Sequence, residues 1–210
     1  MPGTQPKPCP PTQSDPVSAA SKIVAAARAH FFTHGFRSVT MDQLADELGM
    51  SKKTLYAHYS SKSVLLEAVI DAKFEEMRTA LDLITGNSDA PFLDLLQQLL
   101  ACMHRHTEEI QPPFVRDMRR EDPGLFQSIE ARRRKIIQRY FGKLFLNGRA
   151  AGLVRKDISV RILVEILLAA TQSIMNPVRI QELNLTPRTG FSAIISVILE
   201  GALVRDGVNK

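Results

Sequence analysis

Residues 40–62 read TMDQLADELGMSKKTLYAHYSSK. Two helical patterns meet in this stretch at Gly49-Met50-Ser51. The first carries Asp42, Asp46 and Glu47 and no base, whereas the run from Lys52 to Lys62 carries three lysines, two tyrosines and no acid. Thr40 with Gln43 three positions on forms a capping box, so a helix is predicted from Met41. Met41, Leu44, Ala45 and Leu48 then fall at i, i+3, i+4 and i+7, a single buried face. Gly49 can take the left-handed conformation that stops this helix. Ser51 is the next N-cap, with Met50 placed to staple onto Leu55 across it. Two helices joined by a turn of about three residues containing Gly make a helix-turn-helix.

The second helix shows what it faces. Winding at about 100° per residue puts Leu55 and Tyr59 on the inner side and Lys52, Lys53, Tyr56 and Ala57 on the outer one. Two cations, a phenol and a small residue suit a DNA major groove, where lysines reach phosphates or guanine edges and Thr54 or Ala57 meets a thymine methyl. The acids stay on the first helix, which only crosses the backbone. A positive face is wanted only on the element that enters the groove.

The longer run FFTHGFRSVTMDQLADELGMSKKTLYAHYSSKSVLLEAVI, residues 31–70, resembles the TetR-type transcriptional repressors. Ser51, Lys52, Thr54, Leu55, Tyr56, His58 and Lys62 match that family's recognition-helix run, with Tyr59 where Phe is commoner and Lys53 where a small residue is frequent. The resemblance implies a DNA-binding set of Thr40, Ser51, Lys52, Lys53, Thr54, Tyr56, His58, Tyr59 and Lys62. Of these, Thr40, Tyr59, Lys62 and His58 are implied at phosphates. Lys52, Lys53, Thr54 and Tyr56 are implied in the groove. Beyond residue 70 the likeness lies in helical character and length. There the family implies a ligand-binding domain whose last two helices pair about a two-fold axis.

Working outward, 210 residues with 44% hydrophobic and 23% charged side chains describe an ordinary globular chain with enough material for a core. The net charge of +5 is compatible with a nucleic-acid partner without requiring one. Cys9 and Cys102 are too few and too far apart for a disulfide framework, which points to a reducing cytoplasm. The opening MPGTQPKPCPPTQSDP lacks the apolar centre of a secretory signal, and its prolines predict a disordered arm over residues 1–15. No apolar run reaches the roughly 18 residues of a membrane span.

After that arm everything reads as helix. The fold class expected is all-α: a three-helix DNA-binding domain over residues 16–62, then a helical ligand-binding and dimerisation domain over 63–210, about nine helices in all. Asp15-Pro16 should open the first helix, which Gly35 ends, with Phe36 folding back on Phe31. Helices follow at about 61–84, 90–109, 112–120, 123–151, 158–176 and 187–205.

Leu163, Ile166, Leu167, Ala170 and Ile174 form one apolar stripe, and Phe191, Ile194, Ile195, Ile198 and Ala202 another. So much apolar surface predicts a homodimer interface. An effector pocket is expected from the inward set Met103, His106, Phe114, Met118, Phe126, Tyr140 and Gln172. Such a lining suits a small, largely apolar molecule. Cys102 and His106 stand one turn apart, but with Glu108 and Glu109 read as solvated no third metal ligand is in sight, so no metal or cofactor is expected. The basic run Arg132–Lys135 reads as a solvated face. No catalytic constellation is present. The expectation is a DNA-binding regulator, most simply a repressor released by its ligand. The competing reading is a helical carrier or enzyme with an accessory DNA module, which turnover of the ligand would reveal.

Overall fold

The computed structural model describes residues 18–86, 90–174 and 177–202, without the side chains of residues 177, 178, 187, 188, 191, 199 and 202. Ten helices lie among the described residues. They are α1 (Ala19–His34), α2 (Met41–Glu47), α3 (Lys52–His58), α4 (Lys62–Gly86), α5 (Phe92–Glu108), α6 (Pro112–Glu121), α7 (Pro123–Ala150), α8 (Val160–Ile174), α9 (Pro177–Glu182) and α10 (Pro187–Ala202). The short α9 is the helix the sequence pattern did not supply, since six residues give no readable stripe. α1 begins at Ala19, where Ser18 Oγ accepts from Ser21 N at 3.1 Å. The expected Asp15-Pro16 start and the 1–15 arm lie outside the described residues, as do residues 203–205 of the last expected helix.

Helix ends follow local chemistry. Gly35 closes α1 at φ +89°, and Phe36 turns back to within 5.5 Å of the Phe31 ring centroid. Pro112 and Pro113 open α6, and Asp122 caps α7 by accepting from Leu125 N at 2.8 Å. Thr186 caps α10, accepting from Thr189 N at 3.1 Å.

α4 is the spine. It packs against α1 on one side and against α5 and α7 on the other, while α8 lies on α7 and α10 on α8 and α5. Its buried residues are Leu65, Leu66, Val69, Ile70, Lys73, Phe74, Met77 and Leu81. That set is wider than one stripe because the helix is covered on two sides. Ala72 is exposed, while its neighbour Lys73 is buried. Lys73 survives there because its ammonium pairs with Glu109, which also accepts from Arg28 Nε and Nη2 at 2.9 and 2.7 Å. Glu109, read from sequence as solvated, thus joins α1 to α4 and to the end of α5. The basic run is likewise engaged: Arg132 pairs with Asp71, Arg133 with Glu130 and Arg134 with Glu165.

A candidate nucleic-acid interface

The site begins with two caps and one glycine. Thr40 is extended at φ −114°, ψ 153°; its hydroxyl accepts from Gln43 N at 3.2 Å, and Gln43 Oε1 accepts from Thr40 N at 2.9 Å. The box fixes the start of α2, which buries Met41, Leu44 and Ala45. At its far end Gly49 N donates to Asp46 O at 3.1 Å and Met50 N to Ala45 O at 3.0 Å. That pair of bonds is the Schellman closure. Gly49 sits at φ +63° with open space around it, so backbone conformation alone asks for glycine. Ser51 Oγ then accepts from Thr54 N at 3.1 Å and opens α3.

On α3, Leu55 is the buried residue, at 0% exposure. Lys52, Lys53, Thr54, Tyr56, Ala57 and His58 are exposed, as are Thr40 and Ser51. Tyr59 ends the helix with its N–H on Leu55 O at 2.9 Å, and its ring packs partly buried against the core. Leu55 therefore anchors a helix whose remaining side chains face outward, and none of them is acidic. The Ser51 and Thr54 hydroxyls bond each other at 2.8 Å, which orients both side chains at the helix start.

Two lysines are more committed than the sequence suggested. Lys52 Nζ donates to Asp42 Oδ2 at 2.6 Å, a bond that raises the lysine above its ordinary value. The acids of α2 are therefore not wholly apart from the basic face, and a phosphate has to compete with Asp42 for this ammonium. Lys62, implied at a phosphate by the resemblance, spends two donors inside the chain, on Phe36 O at 2.7 Å and Val39 O at 2.8 Å. Its Nζ also stands 4.3 Å from the Phe36 ring centroid. Burial pushes its ammonium below the ordinary value, against the nearby carboxylates of Asp117 and Glu121.

Asp117 was not visible in the sequence. On an arginine-rich α6 it reads as surface, yet it is 5% exposed and accepts from the backbone N of Arg37 at 2.9 Å. Only the packing of α6 on α1 brings the two together.

The expected effector residues differ in their surroundings. Phe114 meets Phe32 edge-on at 5.0 Å, in the joint between α6 and α1. The Tyr140 hydroxyl donates to Asp82 Oδ1 at 2.7 Å, tying α7 to α4, and burial with that bond pushes it up to about 12. Phe126 lies half-buried beneath the Arg119 guanidinium. Gln172 is exposed, while Met103, His106 and Met118 are core residues. None of the seven lines the two surface grooves, of about 530 and 590 Å³, that flank α1. Periodicity reports that a side chain points inward, not which side chains converge. Cys102 is buried, and among the described residues no three metal-ligating side chains come together.

The expected interface stripes also need correction. Leu163 and Leu167 are 4% and 3% exposed, and Ile194 and Ile198 are 4% and 8%. These four are core of a single chain, because α8 and α10 pack on each other. Ala170, Ile174 and Ile195 are partly covered, Ile166 is open, and the side chains of Phe191 and Ala202 lie outside the described residues. Among the described residues, the apolar side chains left facing outward are Ile162, Ile166 and Ala169 on α8 and Ala193 and Val197 on α10. Among the described residues no helix is long and apolar enough to cross a membrane.

Residues 23–69, which hold most of α1, all of α2 and α3 and the start of α4, match the family model "Bacterial regulatory proteins, tetR family". An uncharacterized HTH-type transcriptional regulator of Bacillus subtilis, YvaF, is 35% identical over 94 residues, 45% of this chain and 50% of that protein. The HTH-type transcriptional repressor KstR2 of Mycolicibacterium smegmatis is 25% identical over 168 residues, 77% of this chain and 80% of that one. The solved regulatory protein TetR from Rhodobacter sphaeroides superposes with a TM-score of 0.68 at 18% identity, over 88% of this chain and 98% of that one. The capped helices that carry the exposed α3 are thus the part the family model recognises, and the remaining helices follow the same architecture. Residues 23–69 thus carry the DNA-binding part of the TetR-type transcriptional regulators, and the fold of the chain resembles theirs.

Proposed function

We propose that this protein is a homodimeric cytoplasmic repressor, not an enzyme, that reads an operator with α3 and releases it when a small, largely apolar molecule binds. One observation carries the reading. α3 gives Leu55 to the core and leaves Lys52, Lys53, Thr54, Tyr56 and His58 exposed with no acid among them. Residues 16–62 serve as the DNA-reading domain and residues 63–210 as the domain that dimerises and senses. One helix-turn-helix reads only half a site, so operator reading asks for two copies one helical turn apart. The outward apolar face of α8 and α10 is where a second copy pairs. The effector acts by favouring a dimer whose two α3 helices no longer fit successive major grooves, and it need only bind that state more tightly. The repressor name of the Mycolicibacterium smegmatis relative supports the sign of the response.

Selection of bound duplexes from a randomised pool tests the reading directly. A palindromic consensus should emerge. If the dimer neutralises about six to eight phosphates, log K for the recovered duplex should fall with log[salt] at a slope of about −5 to −7. Recovery of no consensus, or salt-independent binding, would refute it.

A further inference from the structure

We infer that the turn at residues 35–39 is a clamp held from two sides, through which Lys62 of α4 and Asp117 of α6 position the recognition helix without touching DNA. The inference rests on reading α3 as the DNA-reading helix.

The turn links α1 to the Thr40 cap, so its conformation decides where α2 and α3 point. Apart from the Gly35 amide, which closes α1 on Phe31 O at 3.0 Å, its backbone groups belong to no helix ladder and need partners. Two carbonyls, those of Phe36 and Val39, receive Lys62 Nζ at 2.7 and 2.8 Å. One amide, that of Arg37, donates to Asp117 Oδ2 at 2.9 Å. Carbonyls thus face a cation on one helix, and an amide faces an anion on another. Bonds to charged partners are about twice as strong as neutral ones.

The fit on the α6 side is tight. A Cβ at Gly35 would stand 2.5 Å from Asp117 Oδ2 and 3.2 Å from Pro113, at a φ of +89°. Only glycine lets the carboxylate come so near. The same seam holds Gln111 N on Phe32 O at 2.9 Å and the Phe32–Phe114 contact. Hydrogen bonds of this kind tolerate a few tenths of an ångström. A shift of α6 against α4 by about 1 Å cannot keep both grips, and the α2–α3 pair must follow one of them or come loose.

Lys62 is therefore a positioning residue, and salt dependence separates that role from a phosphate contact. A lysine on a phosphate releases a counterion and adds about 0.9 to the salt slope. A lysine bonded to carbonyls adds nothing.

The test uses the full-length protein, the duplex recovered by selection and a scrambled duplex, with Lys62→Met, Asp117→Ala and Lys53→Met compared. Lys62→Met and Asp117→Ala should each lose about tenfold or more in affinity for the selected duplex. Their ratio of selected to scrambled binding should fall, and their salt slope should stay at the wild-type value. Lys53→Met removes an exposed cation of the groove-facing helix and should flatten the slope by about 0.9 per subunit. A slope flattened equally in Lys62→Met would return this lysine to the phosphate and overturn the clamp. Unchanged affinity in both clamp variants would overturn it too.

Hydrogen exchange of the free protein supplies an arm that needs no DNA. The Arg37 amide and those of α3 should lose protection together in both variants while α7 keeps its own. Protection unchanged at Arg37, or lost uniformly along the chain, would refute the clamp even if the wild type selects no duplex, an outcome that would count against the proposed function instead.

Discussion

Val197 and Ile198 are neighbours on α10 with opposite surroundings, at 73% and 8% exposure. Replacing each by Glu separates a pairing face from a core. Fully covering a Val or Ile side chain contributes about 1.5–3 kcal/mol. Ile162 and Ile166 remain 52% and 48% exposed, so with Val197 they leave about 3–4 kcal/mol per subunit for a partner to gain. A two-fold interface counts that twice, giving about 6–8 kcal/mol, comparable to the roughly 4–15 kcal/mol that rigid-body association costs. These residues cannot hold a dimer alone, but a dimer on this face needs them. Val197→Glu forfeits about 1.5 kcal/mol in each subunit, and a loss of about 3 kcal/mol loosens the dimer on the order of a hundredfold. Two desolvated carboxylates near a common axis add to that. The fold of each chain should stand, since exposed substitutions usually stay within about 0.5 kcal/mol. Ile198→Glu puts a carboxylate into the α8–α10 core and should unfold the domain. Sedimentation across a dilution series reads the dimer, and circular dichroism melting reads the fold. A Val197→Glu protein that stays as tightly dimeric as wild type would place the pairing face elsewhere on the surface.

Tyr140 should ionise last. With its folded value raised to about 12 from an ordinary 10, its contribution to stability is full below about pH 10 and is lost as pH climbs through 12. Among three tyrosines, absorbance titration should show one late step, absent in Tyr140→Phe; an unchanged curve in that variant would refute the assignment. At Gly148 an added Cβ would lie 2.5 Å and 2.7 Å from Phe92 ring carbons and 2.9 Å from Val154 Cγ2. Overpacking of about 1–3 kcal/mol should outweigh the roughly 1 kcal/mol of helix propensity that Ala adds, so the melting temperature of Gly148→Ala should drop. Glu109→Gln leaves the buried Lys73 ammonium and Arg28 without their shared carboxylate; a loss of about 2–3 kcal/mol is expected in denaturant unfolding, and an unchanged midpoint would show the cluster to be ornamental to stability.

Local chemistry decided the DNA-reading helices. The Thr40–Gln43 box, the left-handed Gly49 and the Ser51 cap act within five residues of chain, so they are legible wherever they occur and hold in the folded protein. The exposed face of α3 was legible for the same reason, since one anchoring leucine in a short helix settles which way the rest points. Helix count and ends came close, with α9 too short to announce itself.

What the sequence could not contain is which inward faces meet. Lys62 fits a phosphate-contact motif, yet the packing of α4 beside the 35–39 turn offers its ammonium two carbonyls at hydrogen-bond distance. Asp117 and Glu109 carry the composition of surface acids, but each is met by a partner some eighty residues away along the chain, Arg37 and Arg28. The stripes on α8 and α10 were correctly apolar and wrongly divided, because a helix's own period cannot say whether its apolar side faces its neighbour or a second copy. Residues such as Leu163 and Ile198 went to the first and Ile162 and Val197 were left outward, a choice made only when the two helices crossed.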